Sequence, residues 1–287
     1  MVCKVTYFDV VTSAGHSIAV TSYGLPKSNS ILVIAPATGV KQSFYGHFAE
    51  YMARHGIWVL TFDYMGIGDS LRGPITQLKG NAQEWGSVDL EAVLSFVMDE
   101  NPHGALCILG HSIGGQLIGL APTSRKASRI ILVGAQSGYW KFWPGLSRIK
   151  MLFYWYFLLP SLTWMFGYFP GKKILGMENL PKNMALQWRY WCTLPNYILD
   201  DVPPEQLFYK DIDARLLVIS MERDTFAPLA AVEYLSNCYG SENRKRLHIH
   251  NRDYQMGNIG HFGVFKKKMK ESLWPVLLHE IQLSNPQ

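Results

Sequence analysis

An alternation of apolar runs and helix-spaced segments narrows this chain to one class of fold. "SILVIAPA", "IWVLTFDY", "ALCILG", "ASRIILVGA" and "ARLLVISM" are almost unbroken apolar or β-branched runs. That pattern belongs to strands buried on both faces. Between them, "SFYGHFAEYMARHG" repeats Phe44, Phe48, Tyr51 and Met52 at helical spacing and stops at Gly56. "NAQEWGSVDLEAVLSFVMDENP" predicts a helix with Trp85, Val88, Ala92, Phe96 and Val97 on one face, ended by Pro102. A further helix is expected from about Pro228 to Cys238, and an amphipathic one near the C-terminus. At the start, "VCKVTYFDVV" and "HSIAVTSYG" alternate around the turn "TSAG", which predicts an antiparallel hairpin. The expected class is α/β, with a mostly parallel central sheet and helices on both faces.

Residues 137–205 interrupt this rhythm. The reading is therefore a core of residues 1–136 and 206–287, with 137–205 inserted as an aromatic-rich helical cap. Within the insertion, "MLFYWYFLLPSLTWMFGYF" carries no charge and is flanked by Arg148, Lys150, Lys172 and Lys173. About 20 apolar residues are enough to cross a bilayer, so a membrane span is the alternative. Pro160 interrupts the run, and strands resume beyond it. A single crossing would leave the two halves of a parallel sheet on opposite sides of a membrane, so a cap is expected.

Composition excludes several classes. The net charge of +5 is spread along the chain, and the one dense cluster, "FKKKMKES", reads as a solvated face, so no nucleic-acid partner is expected. Cys3, Cys107, Cys192 and Cys238 are far apart and form no C-x-x-C pair, which suggests neither a metal site nor a disulfide framework. "MVCKVTYFDVVTSAGHSIAV" lacks the apolar stretch of a secretory signal. Reduced thiols in a cytoplasm are expected.

The chemistry-bearing segment is "LCILGHSIGGQLIGLAP". Gly110-His111-Ser112-Ile113-Gly114 is G-x-S-x-G between an expected strand and an expected helix. A sharp strand-to-helix turn strains its central residue and leaves no room for flanking side chains, while the helix start offers free N–H groups. Ser112 is thus the candidate nucleophile. His261, in the glycine-rich loop "GNIGHFGVF" after the last strand, is the candidate base. His248 and His250 share a strand without a third ligand nearby, and His111 should point away from its neighbour. Asp224 ends the strand segment "LLVISMERD" and is the candidate orienting acid, whereas Asp211 and Asp213 precede that strand.

The order Ser, Asp, His and these motifs resemble the α/β-hydrolase superfamily, closest to its monoglyceride-lipase-like or serine-aminopeptidase-like branch. "FDYMGIGDS" resembles the family's D-x-x-G-x-G-x-S turn, and "EWGSVDLEAVLSFV" and "GHFGVF" resemble its pre-nucleophile helix and histidine loop. "GIGDSL" lacks the third glycine of a dinucleotide fingerprint, so no nucleotide cofactor is expected. Ala37-Thr38 stands where relatives carry His-Gly, so the oxyanion donors are expected to be Ile113 with Thr38 or Gly39. The resemblance implies a cofactor-free serine hydrolase that works through an acyl-enzyme. Trp140, Trp143, Phe153 and Trp155 are candidate walls of an apolar acyl pocket, favouring ester or acylglycerol over peptide substrates. The same aromatic cap is a candidate for peripheral membrane contact. An acyltransferase with the same triad and a non-catalytic binder of apolar ligands stay open as alternatives.

Overall fold

The computed structural model describes residues 3–254 and 258–282. In chain order the strands are β1 (Val5–Val11), β2 (Ser17–Tyr23), β3 (Ser30–Ala35), β4 (Ile57–Phe62), β5 (Ala105–His111) and β6 (Arg129–Val133). The short β7 (Tyr168–Phe169) and β8 (Leu180–Pro181) come next, then β9 (Arg215–Met221) and β10 (Arg244–Ile249). Eight of them form one sheet in the order β1-β2-β4-β3-β5-β6-β9-β10, while β7 and β8 pair with each other. β1 runs antiparallel to β2, and β2 to β4; every other neighbour in the large sheet is parallel.

Strand periodicity explains why both faces need cover. Along β3, Ile31, Val33 and Ala35 enter one apolar core, and Leu32 and Ile34 enter the other. Ile130 and Leu132 of β6 likewise face one core, with Ile131 and Val133 facing the opposite one. The helices Gly46–Arg54 and Trp274–Gln282 close one face through Phe48, Met52, Trp274 and Leu277. Glu91–Glu100 and Leu229–Cys238 close the other through Val93, Leu94, Val97 and Val232. Arg129 on β6 and Glu280 on the C-terminal helix form a buried ion pair of 2.7 Å, which Lys245 of β10 joins.

One helical face departs from the sequence reading. Residues Trp85–Leu90 form a π-turn, and the buried set is Trp85, Asp89, Leu90, Val93, Leu94 and Val97. Val88, Ala92 and Phe96 are only half-buried. The extra residue in the π-turn rotates the face that follows it, so a constant 3.6-residue period misplaces those side chains.

Between β6 and β9 the chain runs through helical segments Gly145–Phe153, Tyr154–Leu158, Leu159–Phe166 and Lys182–Trp191. Pro160 lies just beyond the π-turn Tyr154–Leu158, inside a continuous helical run, and the upstream Trp155 carbonyl accepts Arg189 Nε–H (2.8 Å). Gly167, at φ +74°, ends that helix in the left-handed conformation. Trp155, Leu159, Phe169, Met184 and Trp191 join the core that holds Trp85 and Leu117. Among the described residues, no helix is long and apolar enough to cross a membrane.

Candidate active site

The C-terminal ends of the parallel strands gather the candidate residues, as open α/β sheets do with their sites. Ser112 directly follows β5 and takes φ 54°, ψ −119°, a strained conformation for a residue with a side chain. Its N–H donates to Val133 O (3.0 Å), tying the turn to β6. Glycines permit this turn by contact. A Cβ on Gly110 would collide with the Gly115 backbone, and one on Gly114 with the carbonyls of Ala35 and Pro36. One on Gly115 would strike Ala135. The start of the helix at Ile113 is thereby pressed against the loop that leaves β3.

Asp224 lies in the loop after β9. Its Oδ1 accepts the N–H groups of Phe226 (2.9 Å) and Ala227 (3.1 Å), which leaves Oδ2 to bond His261 Nδ1 at 2.8 Å. Both side chains are almost fully buried. This geometry puts the Nδ1 proton toward the carboxylate and leaves Nε2 as the basic nitrogen. His261 lies beyond β10, and the first residue of its expected loop, Gly257, is outside the described residues. Its imidazole packs beside Gly134, which sits at φ +55° just after β6, where a Cβ would come within 3.1 Å of the ring. Among the described residues, Ser112 Oγ makes no protein hydrogen bond, so the structure brings Ser112 and the His261–Asp224 pair to one end of the sheet without a direct Ser–His bond.

The loop after β3 turns through Ala37–Val40, closed by Val40 N–H to Ala37 O (3.1 Å), with Gly39 at φ +63°. Ala37 N–H donates to Tyr45 OH (2.9 Å). Among the described residues, the N–H groups of Thr38 and Gly39 have no protein acceptor. Gly39 O accepts Glu178 N–H (2.7 Å), so the segment between β7 and β8 braces this loop.

Sequence reasoning missed two supporting side chains. His111 is buried beneath Ser112, with Nδ1 2.8 Å from Tyr45 OH and Nε2 3.0 Å from His261 O. Tyr45 OH already accepts from Ala37, so its proton goes to His111 Nδ1, and His111 Nε2–H donates to the His261 carbonyl. Burial, then the neighbouring His261, hold the His111 imidazole well below its ordinary range. Burial raises the Tyr45 phenol, which keeps its donor proton. No periodicity marks either residue. The reading that His111 points away from Ser112 holds in part, since it turns into the core toward Tyr45 and the His261 backbone.

A cavity of about 810 Å³ adjoins this end of the sheet. Trp143, Phe153 and Trp155 line it, joined by Trp188, Leu158 and Phe226. Phe226 also packs on the His261 ring at 5.4 Å between centroids, linking cavity and imidazole. Trp140 is not among the lining residues; its ring packs on Tyr139 and under Lys141 Nζ. The "FDYMGIGDS" motif is a brace. The Asp63 carboxylate accepts Gln42 N–H (2.7 Å) and Asp69 N–H (2.9 Å), and Ser70 Oγ donates to Asp63 O (2.6 Å). His248 bonds Ser220 Oγ (2.8 Å), and among the described residues no group of three or more metal-ligating side chains converges.

A strained serine between strand and helix, on a mostly parallel sheet covered on both faces, defines the α/β-hydrolase class. The family model described as serine aminopeptidase, S33, matches residues 26–179, more than half of the chain, and the protein belongs to that family. No curated protein matches it significantly. Among solved structures, it is similar to a soluble variant of monoglyceride lipase from Saccharomyces cerevisiae in complex with a substrate analogue (TM-score 0.68, 14% identity, covering 100% of this chain and 96% of that one). It is also similar to DcsB in complex with its substrate analogue (TM-score 0.67, 15% identity, 98% and 100% covered). An esterase from Exiguobacterium antarcticum is a third (TM-score 0.63, 15% identity, 96% and 100% covered). At these identities the likeness shows the fold.

Proposed function

We propose that the protein is a serine hydrolase that cleaves carboxylic esters of apolar acyl groups, with residues 137–205 acting as a cap over the site. The observation that carries this reading is the buried His261–Asp224 bond of 2.8 Å at the strand ends that also carry Ser112. Ser112 Oγ attacks the ester carbonyl carbon while His261 Nε2 takes its proton, and Asp224 stabilises the imidazolium that results. The carbonyl oxygen gains the negative charge and is met by the Ile113 N–H together with that of Thr38 or Gly39. One such donor is worth about 3 kcal/mol of barrier. The C–O bond then breaks, the alcohol leaves with the proton from His261, and an acyl-Ser112 ester remains. Water, deprotonated by His261, repeats the attack and releases the acid. The site chemistry calls for no cofactor.

Cavity chemistry favours an ester over an N-terminal peptide. Binding a peptide's α-ammonium group calls for a carboxylate; among the described residues the cavity lining holds none, and its one charged residue is Lys150. Aromatic rings instead suit an acyl chain, with the buried Trp143 and Trp155 and the more exposed Phe153 as its walls.

The test is fluorophosphonate labelling of the native chain and of Ser112→Ala, with turnover measured on p-nitrophenyl esters of increasing chain length. Labelling and turnover that vanish together in the variant support the reading, and the chain-length optimum sizes the cavity. A folded native chain that neither labels nor turns over any ester rejects it in favour of an apolar-ligand binder. Acyl transfer to added alcohols in preference to water would redefine it as an acyltransferase.

A further inference from the structure

We propose that the outer face of residues 145–175 docks on the surface of an anionic phospholipid bilayer, and that the cavity opens onto this face. The inference takes its purpose from the esterase reading, but its test does not depend on catalysis. The helical run Gly145–Phe166 buries Trp155, Leu159 and Thr163 on its inner side. On its outer side Leu146, Ile149, Phe153, Phe157, Trp164 and Met165 are exposed, Met165 at 73% and Leu146 at 77%. So many large apolar side chains on one element form a patch that a free surface in water does not favour. Ile149 and Phe153 belong to both surfaces, since they are exposed and also line the cavity, as does the exposed Leu175. An acyl chain leaving a bilayer at this face would reach the cavity without crossing water.

Charge selects the occupant. The sequence contains no Asp or Glu between Glu100 and Glu178, whereas Lys150, Lys172 and Lys173 stand exposed around the apolar patch. Glu178 is engaged by Lys172 (3.0 Å) and Lys41 (3.6 Å). Among the described residues, Lys150 and Lys173 form no ion pair. A second copy placed face to face would set lysine against lysine, but an anionic headgroup layer complements them. No helix among the described residues is long and apolar enough to span, so the proposed contact is one of lying on the membrane, with rings at the headgroup boundary.

The experiment is flotation of the full chain with phosphatidylcholine vesicles, with and without phosphatidylserine, at low and high salt. Binding is expected only to the phosphatidylserine vesicles and should weaken as salt rises. Lys173→Gln is expected to weaken it about fivefold. Phe157→Ser with Trp164→Ser, both outside the cavity lining, is expected to weaken it more than about tenfold while sparing hydrolysis of a short soluble ester. Ser112→Ala should float like the native chain; a native chain that binds vesicles but hydrolyses no ester would reject the catalytic reading and keep this one. Esterase activity without flotation at either salt would overturn this one alone. Sedimentation velocity covers the remaining occupant: a dimer that Phe157→Ser and Trp164→Ser convert to monomer, without vesicle binding, would assign the face to a second copy and overturn the proposal.

Discussion

His111 Nε2 lies 3.0 Å from the backbone carbonyl of His261, so the residue before the candidate nucleophile holds the loop of the candidate base. Through Tyr45, the same imidazole reaches the Ala37 N–H at the head of the candidate oxyanion loop. Three loops from distant parts of the chain are thus joined by one buried relay. Tyr45→Phe would orphan the Ala37 N–H and His111 Nδ1 together. An unsatisfied buried polar group costs about 1–3 kcal/mol. With two groups orphaned, the variant should lose about 2–6 kcal/mol by urea denaturation, and kcat for a p-nitrophenyl ester should fall while KM changes little. Full kcat in the variant would mean that the relay is structural only.

Asp224→Asn keeps an oxygen for the Phe226 and Ala227 N–H groups but lets His261 adopt the wrong tautomer. A loss of about ten-thousand-fold in kcat is expected, as for the equivalent change in a serine protease triad. The melting temperature should stay near the native value. A loss of less than tenfold would remove Asp224 from the mechanism.

Gly114→Ala places a methyl group against the Ala35 and Pro36 carbonyls. The helix start must retreat from the loop after β3, at an overpacking cost of about 1–3 kcal/mol. Ester turnover should drop further than stability does, because the Ile113 N–H moves. Equal losses in thermal denaturation and kcat assays would show no special role for that amide.

Glu280→Gln removes the countercharge of Arg129, which is buried with it. Breaking a buried pair from one side costs about 3–5 kcal/mol. Burial pushes the Glu280 carboxyl up, but Lys245 and Arg129 outweigh it and hold it below the usual range. Its contribution is therefore present above the ordinary glutamate pKa and lost as pH falls through the lowered one. Urea melts from neutral pH downward should show the native and variant curves converging.

His16 titrates in the opposite sense. Its bond to the buried Asp89 carboxylate (2.7 Å) raises it above its ordinary value, more than partial burial lowers it. The folded state then binds a proton that the unfolded chain has already released, so this stability is complete below about pH 6.5 and fades as pH rises through the raised pKa. His16→Gln should flatten that alkaline decline in thermal melts recorded from mildly acidic to alkaline pH. An unchanged slope would assign the decline to another group.

The strands were legible in the chain because burial on both faces writes itself locally, as uninterrupted apolar runs such as "SILVIAPA" and "IWVLTFDY". The turn at Ser112 was legible for a similar reason. Its glycines answer to contacts between a strand and the helix that immediately follows it. The π-turn at Trp85–Leu90 was not, since an added residue per turn depends on the fit of buried Asp89 to Met65 N–H and His16 rather than on any repeat.

Tertiary structure alone decided the surroundings of the serine. Tyr45, His111 and the His261 carbonyl come from three segments that meet only when the sheet closes in its own strand order. Of the aromatic residues between β6 and β9, Trp143, Phe153 and Trp155 wall the cavity while Trp140 packs beside Tyr139 and Lys141. Composition could not divide them, because all are equally apolar in sequence. Hydrophobic burial is non-directional, so a sequence shows which side chains must leave water, and packing chooses the neighbours they leave it for.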